Sequence, residues 1–400
     1  MDITKMENNK FKTNEIAVFL TMPLKRETIT MNALIPSVLR RGSNTYKNQV
    51  EIGKELENMY GAFFNCGIDK TGDYCILKFY IETLSDKFLP KEEKLSQRSM
   101  DLLLDIIFNP LIENNSFSKQ YVEQEKENLK KIIESKKDNK ELYAFNRCIE
   151  EMFKNEPYGI EKNGYIEDLN KIDEKKLYEH YKKIIETCKI DIIINGIDAK
   201  NISIKKEIQN KTNIEIIEAT KTEENKETNI VKERADVTQG KLVLGLKTPK
   251  DNKYAITLYN AILGGGANSK LFQNVREKAS LAYSIGSRYV RRKNAIFIIT
   301  GIELQNYDEA LKIIKQQINE IKTGNITEEE YNKSKQLVSS SLDMIKESQE
   351  NMITFEFDQK LFKENLTIDE YKRKIEEITI KDIVKVAQDI EIDTIYYLEK

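Results

Sequence analysis

Histidine is almost absent from the chain: His180 is the only one in 400 residues. A zinc hydrolase centre built on two histidines is therefore excluded within a single chain. Cysteine is sparse as well. Cys66, Cys75, Cys148 and Cys188 are scattered without close pairing, so they make neither a zinc knuckle nor a disulfide framework and read as buried or incidental thiols. Neither sign of charge is in excess, with 64 Lys and Arg against 66 Asp and Glu, which argues against a general nucleic-acid binder. No apolar run approaches the roughly 18 residues needed to span a bilayer, and residues 1–13 lack the apolar core of a signal peptide. A cytoplasmic protein without a membrane partner is expected. The chain also has no phosphate-binding Gly-x-x-x-x-Gly-Lys-Ser/Thr loop, no Gly-x-Gly-x-x-Gly after a strand and no Gly-x-Ser-x-Gly elbow. No cofactor or resident metal is expected from this inventory.

What is present describes a soluble globular protein. Charged residues make up 32% of the chain and are interspersed rather than blocked, as on solvated helix faces. The length suggests two or three domains. Residues 15–22 and 74–84 read as strands, and Lys189 to Asn195 as another. Met31, Leu34, Ile35, Val38 and Leu39 fall at helical spacing ahead of Gly42, and Pro36 inside that run predicts a bend or a late helix start. Further helices are predicted over 48–60, 97–108, 118–135, 142–154 and 174–186. Within the helix at 118–135, Glu123, Glu125 and Glu127 look like a solvated face. His180, in Tyr178-Glu-His-Tyr181, reads as a helix-surface or helix-end histidine.

Between 215 and 236 the chain turns polar and charged and reads as a linker. The same order then begins again: strand 241–246, helices 254–263 and 269–278, strand 295–303, helix 307–323, a long helix 327–349 and a closing strand 394–398. Residues 296–303 can be laid on 75–82 at an offset of 221, so two copies of one unit are implied. The fold class is α+β: two homologous domains, each an antiparallel-containing sheet with helices packed on one face, over 1–214 and 237–400.

Gly264, Gly265 and Gly266 follow the apolar run 258–263 and read as a helix end that tolerates left-handed backbone angles, and as a tight turn holding two helices close. Arg288, Arg291, Arg292 and Lys293 read as a hairpin turn with solvated cations. From Leu271 to Ser284 a helix passes into a strand. Leu271, Phe272 and Val275 would bury one face with Arg276 beside it, and Tyr283 reads as a half-buried strand aromatic.

The run Leu263-Gly-Gly-Gly-Ala-Asn-Ser-Lys-Leu-Phe-Gln-Asn-Val-Arg-Glu-Lys-Ala-Ser-Leu-Ala-Tyr-Ser resembles the C-terminal-domain signature of the insulinase-like, or pitrilysin, family of zinc peptidases (family M16). The resemblance implies homologous domains facing each other around a chamber. It also implies that Arg276 and Tyr283, seven residues apart, contact substrate beside a zinc site carried on another domain. Active relatives carry His-x-x-Glu-His on the first helix. Here Ala33, Leu34, Ile35, Pro36 and Ser37 fall on those five positions, and the distant Glu ligand falls near Lys130, Lys131 and Ile132. The resemblance therefore implies a catalytically silent member, not an enzyme by itself. It would be the half of a heterodimer that binds peptide or unfolded protein substrate and supplies Arg276 and Tyr283 to a zinc-motif-bearing homologue. A guanidinium can donate two parallel hydrogen bonds to a carbonyl or carboxylate, and a phenol can support a developing oxyanion. The alternative is a non-enzymatic peptide-binding or scaffolding clamshell, with a homodimer as one form of it. An enzyme of another, metal-free class is the weakest option, since no nucleophile and base pair is visible.

Overall fold

The computed structural model describes residues 1–204 and 227–400. The first half contains strands β1 (Asp2–Glu7), β2 (Thr13–Pro23), β3 (Phe63–Thr71), β4 (Tyr74–Leu84) and β5 (Lys189–Gly196). Its helices are α1 (Ile29–Leu39), α2 (Gln49–Asn58), α3 (Leu95–Phe108), α4 (Lys119–Ser135), α5 (Lys140–Met152), α6 (Ile166–Leu169) and α7 (Glu174–Thr187). The second half contains β6 (Asn229–Arg234), β7 (Gly240–Lys247), β8 (Ala282–Val290), β9 (Ala295–Ile302) and β10 (Glu391–Glu399). Its helices are α8 (Lys253–Gly264), α9 (Tyr307–Lys322), α10 (Glu328–Ile345), α11 (Gln349–Leu361), α12 (Ile368–Glu376) and α13 (Ile380–Gln388).

The two sheets share one topology. Their strand orders are β1-β5-β2-β4-β3 and β6-β10-β7-β9-β8, so each strand of the first has a counterpart in the second. In each, one parallel edge pair (β1 with β5, β6 with β10) is joined to an otherwise antiparallel ladder. The repeat implied by the 221-residue offset is thus present as an α+β unit built twice.

Two compact units result, and neither is continuous in sequence. One comprises Met1–Glu134, residues 160–204 and Lys346–Asn365; the other comprises Ser135–Gly159, residues 227–345 and Leu366–Lys400. Strand alternation explains why each sheet takes a helix on both faces. On β2, Ile16, Val18 and Leu20 join the core that includes α1, α3 and α7, whereas Ala17 and Phe19 point the other way into a core with Ile353, Phe357 and Leu361 of α11. Phe19 and Phe357 stack with ring centroids 4.0 Å apart. In the second unit, Phe145, Cys148 and Met152 of α5 pack on Val243, Phe297 and Tyr396 in the same way. Helices therefore lie on one face of each sheet, and a single further helix covers the opposite face.

Several expectations are corrected. The predicted helix 327–349 stops at Ile345, and α11 starts afresh at Gln349 behind a Ser348 N-cap that accepts from the Asn351 amide. The break is held by Gln349, whose buried amide donates to the carbonyls of Thr13 (3.1 Å) and Asn195 (2.8 Å). Helix α1 begins at Ile29, ahead of Pro36 rather than after it. Residues 229–234, inside the expected linker, form β6; the remainder of that stretch up to 226 lies outside the described residues. None of Gly264, Gly265 and Gly266 has a positive φ. Close approach is the reason for Gly264: a Cβ there would lie 2.7 Å from the Ser287 backbone nitrogen on β8, so the contact is helix to strand rather than helix to helix. Among the described residues no helix is long and apolar enough to cross a membrane.

Candidate functional site

The positions on α1 where active relatives of the resembled family hold metal are filled with core. Ala33, Leu34, Ile35 and Pro36 are buried and Ser37 is half-buried. Cys66 on β3 donates its thiol to the Pro36 carbonyl at 3.3 Å, and burial pushes that thiol up to about 12, so it stays protonated. Glu125 of α4 is not part of a solvated face: it is 7% exposed and takes the Arg41 guanidinium, with Nε 2.5 Å from Oε1. The lone histidine is engaged too. Its Nε2 lies 2.6 Å from Oδ1 of buried Asn32, and burial, with a smaller contribution from Lys183, lowers it to about 4. A neutral ring donating from Nε2 satisfies that geometry. Among the described residues no group of three or more His, Cys, Asp or Glu is placed to hold a metal ion.

The second half presents a different arrangement. Lys270, nearly buried, is ion-paired to Glu330 of α10 at 2.9 Å and fixes the start of the segment. Burial raises the Glu330 carboxyl, but the hydrogen bond from Lys270 and that from Thr327 outweigh it, leaving Glu330 below its ordinary value. From Phe272 to Lys278 the chain winds as a π-helix rather than the expected α-helix. Leu271 and Val275 are buried beneath it, while Arg276 is exposed, its guanidinium 4.6 Å from the Phe272 ring and 3.7 Å from Glu277. A π-turn carries an extra residue per turn and is frequent at functional sites.

Ser280 then turns the chain at φ +55°, and β8 begins. Ala282 pairs with Ile302 and Ser284 with Gly301, so Tyr283 is the extra residue of a β-bulge. The bulge aims its ring outward. Tyr283 is 78% exposed, which corrects the half-buried reading, and its hydroxyl has no hydrogen-bond partner among the described residues. Arg276 and Tyr283 do not hydrogen-bond to each other. Each projects from a backbone irregularity on the same short segment, and β8 is the edge strand of its sheet. An exposed guanidinium and an exposed phenol thus stand on the segment that leads into an edge strand, whose outer backbone groups can pair with an added strand.

The basic turn departs from the expected solvated cations: Arg288 lies within β8, Arg291 and Arg292 are half-buried, and Lys293 is buried. Lys293 is 2% exposed, and its ammonium lies 2.6 Å from Glu156 and 5.3 Å from the centre of the Phe153 ring. It is a packed structural cation, not a solvated one.

Comparison with known proteins gives the same direction. The family model described as "Peptidase M16 inactive domain" matches residues 171–338. The "Probable inactive metalloprotease YmfF" of Bacillus subtilis (strain 168) is 31% identical over 402 residues, covering 98% of this chain and 94% of that protein. Among solved structures, a conserved protein from Enterococcus faecalis V583 superposes with TM-score 0.90 at 26% identity, covering 99% of this chain and 95% of that one. A peptidase M16 inactive domain from Pseudomonas fluorescens superposes with TM-score 0.80 at 16% identity over 98% and 94% of the two chains, which speaks to the fold alone.

Proposed function

The chain belongs to the M16 peptidase family, and from its single histidine we propose that it is an inactive member acting as the substrate-binding subunit of a two-chain peptidase. In this reading it supplies Arg276 and Tyr283 to a zinc-bearing M16 partner. The observation that carries the proposal is the contrast between the two halves. The α1 positions Ala33 to Pro36 are committed to hydrophobic core, while Arg276 and Tyr283 stand exposed on a π-turn and a bulge. Arg276 would hold a substrate carbonyl or carboxylate by paired hydrogen bonds, and the Tyr283 phenol would donate to the oxygen that becomes negative as the peptide carbonyl is attacked. The edge of β8 would align the peptide backbone.

The stretches Leu34 to Gly42 and Gln239 to Gly245 carry a narrower resemblance, to the non-catalytic chain of a bacterial pair associated with an aminopentanol modification of a translation elongation factor. It favours a heterodimer in the cytoplasm. The experiment mixes the purified chain with a zinc-motif homologue encoded in the same genome and follows a quenched fluorescent peptide. Cleavage by the mixture and by neither chain alone supports the proposal. A stable homodimer in light scattering that ignores every such homologue supports a scaffolding role instead.

A further inference from the structure

In the first unit a cavity of about 300 Å³ opens between the sheet and the start of α11. Four carboxylates line it: Glu15 on β2, Glu82 directly across from it on β4, Glu350 in the first turn of α11, and Glu347 just ahead of that helix, the last of these paired with Lys10. Phe11, Phe63 and Tyr80 supply aromatic walls, Phe63 lying opposite Glu82 across the β3–β4 ladder. Glu15 is the unusual member. It is 8% exposed, yet its side chain has no hydrogen bond or ion pair among the described residues. Buried carboxylates in folded proteins are almost always paired.

The groups around it do not supply a partner. The Gln349 amide is spent on Thr13 and Asn195, and its oxygen accepts from the Thr13 hydroxyl at 2.6 Å. Lys10 is engaged with Glu347 at 2.5 Å. Burial, then the like charges of Glu82 and Glu350, push Glu15 up to about 8, so it keeps its proton near neutral pH while the cavity holds no cation. A metal ion fits poorly, because among the described residues no three carboxylates converge closely enough to ligate one. Separated carboxylates with aromatic faces between them match a larger, flatter cation.

We propose that this cavity binds an organic cation, an ammonium or guanidinium group, seated against Glu15 with Glu82 and Glu350 around it and the aromatic rings on its faces. The site is separate from Arg276 and Tyr283 and does not depend on the peptidase reading. Its cation comes either from a free amine or from a basic side chain of a peptide. Binding would ionise Glu15 and release its proton.

The test is calorimetric titration of the full chain with agmatine, with the capped peptide acetyl-Gly-Arg-Gly-amide and with calcium chloride, near neutral pH in two buffers of different ionisation enthalpy. Saturable binding of agmatine or of the peptide, with net proton release, is expected. The tighter of the two identifies the source. Glu15→Gln should weaken binding by at least about tenfold and remove the proton release. Glu350→Gln, at an exposed helix start where folding is not at risk, should weaken binding several-fold. Absence of binding by both organic probes overturns the proposal. So does binding of calcium alone, or unaltered affinity in Glu350→Gln or in a folded Glu15→Gln.

Discussion

His180 Nε2 and Asn32 Oδ1 lie 2.6 Å apart, joining α7 to α1 one residue ahead of the position where active relatives begin their metal motif. The only imidazole in the chain is thus a structural donor to a buried amide. Because burial holds the ring at about 4, the unfolded chain, titrating near 6.5, binds more protons between those two values. Stability should therefore fall as the pH drops from about 6.5 toward 4. His180→Gln keeps a donor for Asn32 and removes the titration. Urea midpoints taken at about pH 7 and about pH 5 should differ less for this variant than for the parent.

Glu15 gives the opposite sign. Its folded value of about 8 lies above the ordinary carboxylate value, so the folded chain holds the extra proton and loses stability as the pH rises from about 4.5 through 8. Glu15→Gln mimics the protonated form. It should stabilise the protein by roughly 1–3 kcal/mol above pH 8 and make little difference near about pH 5, as read from urea midpoints.

The buried pair of Lys293 and Glu156 ties residues 135–159 to the second sheet. Glu156→Gln leaves the buried ammonium without its carboxylate and should cost about 3–5 kcal/mol. The double variant Glu156→Gln with Lys293→Met should recover much of that loss in a denaturation double-mutant cycle. A double variant no more stable than Glu156→Gln alone would show that the pair is not the cause.

Gly264→Ala would place a methyl 2.6 Å from the Ser287 hydroxyl oxygen and 2.7 Å from its backbone nitrogen. The backbone cannot move aside cheaply, so a loss of roughly 1–3 kcal/mol is expected. The same push falls on β8, and peptide cleavage by the two-chain mixture should decline beyond the loss of folded protein.

The central strands and most helices were legible in sequence because their residues repeat with a clear period. Strand β4 falls on the predicted residues 74–84, and α3, α4 and α7 start or stop within two residues of expectation. Edge strands were harder. Strand β1 sits at a sheet edge with few buried residues, so Asp2 to Glu7 looks like a polar tail, and β3 is only partly covered. The α10–α11 break depends on what Gln349 touches in β2 and β5, a contact no local pattern encodes. At the candidate site, the identities of Arg276 and Tyr283 came through a family resemblance. The π-turn and the bulge that expose them did not, since both arise from one residue too many in an otherwise regular element. Lys293 and Glu125 were misread for a shared reason: a charged side chain looks solvated until its partner, 137 or 84 residues away, is in place.

The most direct test of the account is the peptide-cleavage rate of a zinc-motif M16 homologue mixed with this chain, compared with the same mixture carrying Arg276→Ala or Tyr283→Phe. The account predicts cleavage only in the mixture, a fall of about a hundredfold for Tyr283→Phe, the usual loss when a donor to a developing oxyanion is removed, and a clear fall for Arg276→Ala. Undiminished cleavage by both substituted mixtures, or zinc-dependent cleavage by this chain alone, would contradict it.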